Sequence, residues 1–543
     1  MISPRRRALR EAALVVLGFA SLTAVLTAPL AFRLGSIAYR ITNGDGQFSI
    51  WNTAWVARTL VVDPTGVFDA NIFFPHRGTL AYSEANLGSG ALAIPVYWAT
   101  GNAYAAHGSV VLLAFLLSGI GAYYFVRALT ADRVAATVAA IAFAFCPHVF
   151  SHLLHIQLLW IAGLPWTLLA FHHLVDRPGP GRGLWLGCSM SATLYLCAYY
   201  AVFLVLVVGA LGCAVAVWRG AWRDRRFWTA MTTSAASALI LSLPLLIPYA
   251  RFQRATGFVR PIGASDGFSA DWQAYFASPA YAHAWLLPHL GRWNEVLFPG
   301  FIVIIFAAAA IVGGWREDRR TRETIVLYSG IGLLALWASF GPVAGLYRLL
   351  YATVPALSLM RAPSRFGVVV ILACVVLSGF GIAIVRRRGW LQTRASVGLL
   401  LAIVVAEHAV PLEFQAVAPP PPAYVALASL PDGAVLELPV YSERFQFVRA
   451  KYMLASTIHW KPIVNAYSDY IPADFEARMA VLGAFPNTEA LELLRRDGVR
   501  YAVFHLDEFG ALRTEVERQI GRFASDLLLR YEDASTRIYE LRP

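Results

Sequence analysis

The sequence predicts an α-helical polytopic membrane protein with roughly eleven spanning helices and a C-terminal extracytoplasmic α/β domain. Three observations predict it. Of the 543 residues, 58% are hydrophobic and 14% charged, more apolar surface than a water-soluble chain of this length needs for its core. The apolar residues are gathered into runs near the ~20 residues that cross a ~30 Å hydrocarbon layer. The net charge of +12 is carried almost wholly by Arg, in short clusters between those runs, with Lys451 and Lys461 the only lysines. A basic chain can bind nucleic acid, but charge segregated between apolar runs reads as membrane topology, and no nucleic-acid partner is expected.

The runs are 12–31, 108–126, 134–146, 157–175, 184–217, 229–249, 296–312, 324–340, 366–385 and 395–412. The first follows a basic segment and is too long for a signal-peptide core, so it is expected to stay as the first spanning helix. The run 184–217 would reach about 50 Å as one helix, and is expected to break into two near Cys197–Tyr200. Residues 91–100 are apolar but short and contain Pro95, which suits an interfacial or re-entrant helix. Cys146, Cys188, Cys197, Cys213 and Cys374 all fall inside apolar runs and form no CxxC pair, which predicts small buried hydrophobes and no disulfide framework.

Charge sets the orientation. Arg clusters lie at 5–10, 127–133, 177–182, 219–226, 316–322 and 386–394. Short, densely basic segments stay in the cytoplasm, which places the N-terminus there. The longer segments 33–107, 147–156, 250–295, 341–365 and 413–543 then lie outside. Two domains follow: a membrane domain, 1–412, with a large first outer loop, 33–107, and an outer α/β domain, 413–543. The second begins in a proline-rich linker, PLEFQAVAPPPP. Beyond it, 434–440, 498–506 and 536–541 read as strands, and 488–497 and 510–524 as helices. Neither GxGxxG nor a P-loop occurs in it, and no internal repeat is visible along the chain.

Candidate chemistry gathers in the outer segments. Asp45 stands in ITNGDGQ just past the first helix, where a carboxylate can act as a general base or hold a divalent cation, Mg or Mn. Asp beside Gly also commonly caps a turn. The aromatics that follow, Trp51, Trp55, Phe73, Phe74 and Tyr82, suit a segment lying flat on the membrane surface. In CPHVFSHLLHIQ, His148, His152 and His155 fall at i, i+4 and i+7, on one helical face, with Gln157 behind them. Such a face can position an acceptor, bind a metal or relay a proton; interfacial His residues also simply reach for water. Arg251 and Arg254 beyond run 229–249, and Arg361 and Arg365 in MRAPSRF, run against the positive-inside bias. Phosphate is their natural partner, since guanidinium matches it bidentately and the helix beginning near Phe366 adds its own partial charge. Headgroup anchoring would also account for them.

ITNGDGQ after the first helix, NIFFPHRGTLAYS, CPHVFSHLLHIQ followed by LPW, and MRAPSRF together resemble the integral-membrane glycosyltransferases of the GT-C fold that use polyprenyl-phosphate-linked sugars in bacteria. The resemblance covers most of the membrane portion. It implies a polyprenyl-phosphate-sugar donor with its lipid between helices, its phosphate on Arg361 and Arg365, and an acceptor hydroxyl deprotonated by Asp45 and attacking with inversion. The acceptor would be a cell-envelope glycan, lipid or protein. Many members carry two adjacent acids in the first loop, whereas Gly46 follows Asp45 here. Glu84 could supply the second carboxylate. A lipid or polysaccharide flippase and a non-catalytic envelope scaffold are the competing functions. Against the flippase stands the concentration of polar chemistry in outer loops, with none midway through the helices.

Overall fold

A computed structural model describes residues 4–542. The chain divides into two compact units, Met1–Phe32 with Val110–Glu413 and Arg33–Ser109 with Phe414–Pro543. The boundary near 413 coincides with the proline-rich linker. The first outer loop, assigned by sequence to the membrane domain, instead clusters with the C-terminal segment.

The first unit is helical, and the chain is a multi-pass membrane protein of the α-helical class. Among the described residues, six helices are long and apolar enough to cross a bilayer, including Ala103–Thr130, Ala198–Trp218 and Arg225–Thr256. The remaining expected spans form shorter helices such as Gly163–Asp176, Phe301–Gly313 and Arg394–Glu407, or carry their arginines inside the helix, as Arg319–Ser339 does. The run 184–217 breaks at Cys197, whose extended backbone ends Pro180–Leu196 and begins Ala198–Trp218. The Gly367–Arg387 helix runs through the core, with Val368, Ile371, Val376 and Ile382 fully buried. A side chain at Gly381 would meet the Phe306 carbonyl oxygen at 1.8 Å, so glycine is what lets the Phe301–Gly313 helix cross in contact. Val217, Leu239, Ile240 and Leu333 face outward, as lipid-contacting side chains do.

One end of this unit holds all six arginine clusters, joined by ion pairs. Glu11 meets Arg127 and Arg133, and Asp132 meets Arg386 at 2.9 Å. Arg387 meets Glu317, Arg320 meets Asp176, and Arg219 and Arg319 share Glu323. Asp132 also caps the Arg133–Ala144 helix by accepting from the Ala135 N–H. Each acid thus neutralises an arginine at a helix end, and the clusters share one side.

The second unit is built around two small sheets. β1 (Ile37–Tyr39) pairs antiparallel with β2 (Phe414–Ala416), tying the first loop to the linker. β3 (Ala434–Leu438), β4 (Val499–His505), β5 (Leu527–Glu532) and β6 (Thr536–Leu541) form a sheet of order β3-β4-β6-β5, with β3 and β4 parallel and the other pairs antiparallel. β5 has no counterpart among the strands expected from sequence. The helix expected at 488–497 is present as Thr488–Asp497, whereas 510–524 opens as a 3-10 turn and becomes α-helical only over Arg513–Arg522.

The aromatics of the first loop do not lie on a membrane surface. Trp51 and Phe73 are fully buried and Trp55 and Tyr82 nearly so, inside the second unit. Trp51 donates to Asn71, which in turn donates to Ser456. Trp55 packs on Trp460, and Phe73 on Phe475 at 4.8 Å between ring centres. Once these rings have a protein core to enter, burial there removes more of their surface from water than lying flat would. Residues 91–100 belong to the Leu87–Thr100 helix of the same unit, with Pro95 inside it; its 14 residues span ~21 Å.

Candidate functional site

The end of the first unit opposite the arginines carries a polar cluster. The Gly367–Arg387 helix begins at this cluster and ends at the basic clusters, 21 residues or ~31 Å away. Pro147 opens a short helix, Pro147–Ser151, which stops at His152. The expected single face of three histidines is therefore corrected: the helix unwinds after Ser151, and a 3-10 turn, Ile156–Leu159, follows. His148 and His152 stay together with ring centres 4.4 Å apart, while His155 stands 6.0 Å from His152. Gln157 is half-buried in the 3-10 turn.

Both inner histidines face Glu295, a residue that sequence reasoning missed. Glu295 Oε1 lies 3.3 Å from His152 Nε2 and 3.7 Å from His148 Nδ1. His148 is completely buried and Glu295 is 9% exposed. The other carboxylate oxygen of Glu295 accepts from the Ser364 hydroxyl at 3.4 Å, which brings the cluster to MRAPSRF. Burial opposes charge on Glu295, but the neighbouring imidazoles, the Val296 N–H and the Arg365 guanidinium outweigh it and hold the carboxyl below its usual range. Burial pushes His152 down to about 3, so that ring is neutral at physiological pH.

MRAPSRF is held by aromatic stacking. Arg365 lies over the Tyr199 ring at 4.1 Å, and Arg361 over Phe268 at 4.8 Å. The Arg361 backbone N–H donates to the Tyr199 hydroxyl. Phe366 stacks on Phe203, 4.0 Å between centres. The break at Cys197 is what presents Tyr199, by starting a new helix one residue before it. Arg365 thus stands two residues ahead of the Gly367–Arg387 helix, beside the partial positive charge of its first N–H groups. Arg251 and Arg254 are exposed on the last turns of Arg225–Thr256.

Asp45 belongs to the second unit. It does not cap the Gly44–Val62 helix; Asn43 does, accepting from the N–H groups of Asp45 and Gly46. Asp45 instead stands half-buried in the first turn, and the Tyr467 hydroxyl donates to its Oδ1 at 2.8 Å. A side chain at Gly44 would approach the Phe447 carbonyl oxygen to 2.5 Å, so glycine there lets the loop carrying Phe447 close on the helix start. Glu84 is half-buried in the same unit, and its carbonyl accepts from Asn52 and Asn86. Tyr467, like Glu295, was not marked by sequence.

No curated protein matches this chain. Among solved structures, the arabinofuranosyltransferase AftD from Mycobacteria matches with a TM-score of 0.58 at 14% identity, covering 98% of this chain and 41% of that one. The Archaeoglobus fulgidus oligosaccharyltransferase, in complex with Zn and sulfate, matches at 0.46 and 10% identity over 97% of this chain and 72% of that one. ArnT from Cupriavidus metallidurans matches at 0.42 and 12% over 98% of both. The likeness to AftD gives this chain the GT-C fold. Residues 89–406 match the family described as a domain of unknown function, DUF6311, and the chain belongs to that family.

Proposed function

We propose that the chain transfers a sugar from a polyprenyl-phosphate donor to an acceptor hydroxyl at the outer face of the membrane, with inversion at the anomeric carbon. The observation that carries this proposal is Arg365, stacked on Tyr199 at the start of a core helix, ~31 Å from the arginine-rich end. A half-buried guanidinium beside a helix N-terminus suits a lipid-borne phosphate. AftD, whose fold is similar, is an arabinofuranosyltransferase.

Asp45 accepts the proton of the acceptor hydroxyl as its oxygen attacks the anomeric carbon. The bond from that carbon to the phosphate oxygen breaks, and the polyprenyl phosphate leaves with the electron pair. Arg365, Arg361 and the N-terminus of the Gly367–Arg387 helix stabilise the negative charge on the departing phosphate. Tyr467 fixes Asp45 Oδ1 during the step. The donor phosphate is therefore reached at the end of the first unit opposite the arginine clusters.

The test is product formation. Full-length protein in proteoliposomes containing radiolabelled polyprenyl-phosphate sugars should release free polyprenyl phosphate and form a new glycosidic bond. Movement of labelled lipid between leaflets with no new bond would assign a flippase instead.

A further inference from the structure

We propose that His148, His152 and Glu295 bind a first-row transition-metal dication of the Zn2+ type. The binding itself stands apart from glycosyl transfer; only its use there rests on the function proposed above.

The geometry is that of a ligand set. One ligand atom from each side chain lies within 4.8 Å of the others, and His152 Nε2 is 3.3 Å from Glu295 Oε1. Two ligands bound ~2.0–2.1 Å from a tetrahedral Zn2+ stand ~3.3 Å apart.

The hydrogens point the same way. His152 Nδ1 is 2.8 Å from the His148 carbonyl oxygen, and His148 Nδ1 is 3.2 Å from the Val296 carbonyl oxygen. A carbonyl only accepts, so His152 Nδ1 carries its ring's hydrogen and its Nε2 keeps the lone pair that faces Glu295, as a metal-bound histidine does when it donates its second N–H to a backbone carbonyl. His148 presents Nδ1 to Glu295 Oε1 at 3.7 Å. His148 Nε2 is buried and has no hydrogen-bond partner among the described residues. The His152 Nε2 lone pair faces a carboxylate oxygen, an arrangement that a cation between them relieves. Ser364 holds the other Glu295 oxygen, as an outer partner of a ligating carboxylate does.

Two imidazoles and one carboxylate suit Zn2+, Co2+ or Mn2+, whereas Mg2+ asks for oxygen ligands in an octahedron. Three protein ligands leave a position for an outside oxygen. Ser364 and Arg365 are neighbours in MRAPSRF, so a phosphate oxygen held by Arg365 is the ligand class this position would take.

The full-length chain in detergent, stripped with chelator, is dialysed against Zn2+, Mn2+ or Mg2+ and its metal content measured. One Zn2+ per chain is expected, with Mg2+ not retained, and at least ~10-fold weaker Zn2+ binding in Glu295→Gln and His152→Ala. Loading with Co2+ should give visible absorption typical of a low-coordinate nitrogen–oxygen site. No stoichiometric uptake by the wild-type chain, or undiminished uptake in both variants, overturns the proposal. Thermal unfolding of the metal-free variants checks their folding; if neither folds, the wild-type stoichiometry and Co2+ spectrum decide. No donor is present, so the outcome is separate from that of the transfer assay.

Discussion

Tyr467 donates a 2.8 Å hydrogen bond to Asp45 Oδ1, joining residues 422 positions apart in sequence. A bond to a charged acceptor contributes about 1.5–3 kcal/mol. It holds the carboxylate in one rotamer against the first turn of the Gly44–Val62 helix.

Tyr467→Phe keeps the ring against Phe48 and removes only the hydroxyl. Transfer turnover should fall about 10-fold or more, with little change in donor KM, because a positioning bond is lost and not a donor contact. Steady-state kinetics in proteoliposomes measure this. Unchanged turnover would separate Tyr467 from the chemistry.

Arg365→Lys keeps the charge but loses the planar stack on Tyr199 and the bidentate fork. Donor KM should rise roughly 10-fold, and Arg365→Ala should raise it further. Tyr199→Leu should mimic the lysine variant in part. Arg251→Ala, on an exposed helical turn, should change donor KM less than Arg365→Ala.

Asp132 serves two partners at the arginine-rich end. Asp132→Asn keeps an N-cap for the Ala135 N–H but loses the ion pair to Arg386, at a cost of about 0.5–1 kcal/mol. Asp132→Ala loses both and should cost about 1–3 kcal/mol. Thermal or denaturant unfolding in detergent ranks the two; equal losses would deny the cap a role.

Acid should destabilise the second unit through His459. Burial, with help from the Lys461 ammonium, pushes its pKa down to about 3 from the usual 6.5. Between those values the unfolded chain binds a proton that the folded chain does not. Stability is thus fully present above pH 6.5 and lost as the pH falls toward 3, with a slope of up to about 1.4 kcal/mol per pH unit from this group. His459→Gln should flatten that slope in pH-dependent unfolding of the full chain.

Elements governed by local pattern were legible in the sequence. The break at Cys197, the helix Thr488–Asp497 and strand β6 follow from run length, capping and alternation. The arginine clusters marked one side, and the ion pairs among them join that side into one network. What depended on distant partners was not legible. Glu295 is a lone acid in GRWNEVLFPG, and its meaning comes from His148 and His152, more than 140 positions earlier. Tyr467 gains its role from its hydrogen bond to Asp45. Trp51 and Phe73 carried the composition of a surface segment, and only Asn71 and Phe475 around them reveal a core. The helical spacing of His148, His152 and His155 was real, but Pro147 starts a helix too short to hold all three on one face.

The most direct measurement is turnover by Asp45→Asn in proteoliposomes with labelled polyprenyl-phosphate sugar. Asparagine keeps the size and place of the side chain but cannot take the acceptor's proton. New glycosidic bond formation should fall by at least ~100-fold, while donor binding and thermal unfolding stay near wild type. Turnover within a few-fold of wild type would contradict glycosyl transfer through Asp45.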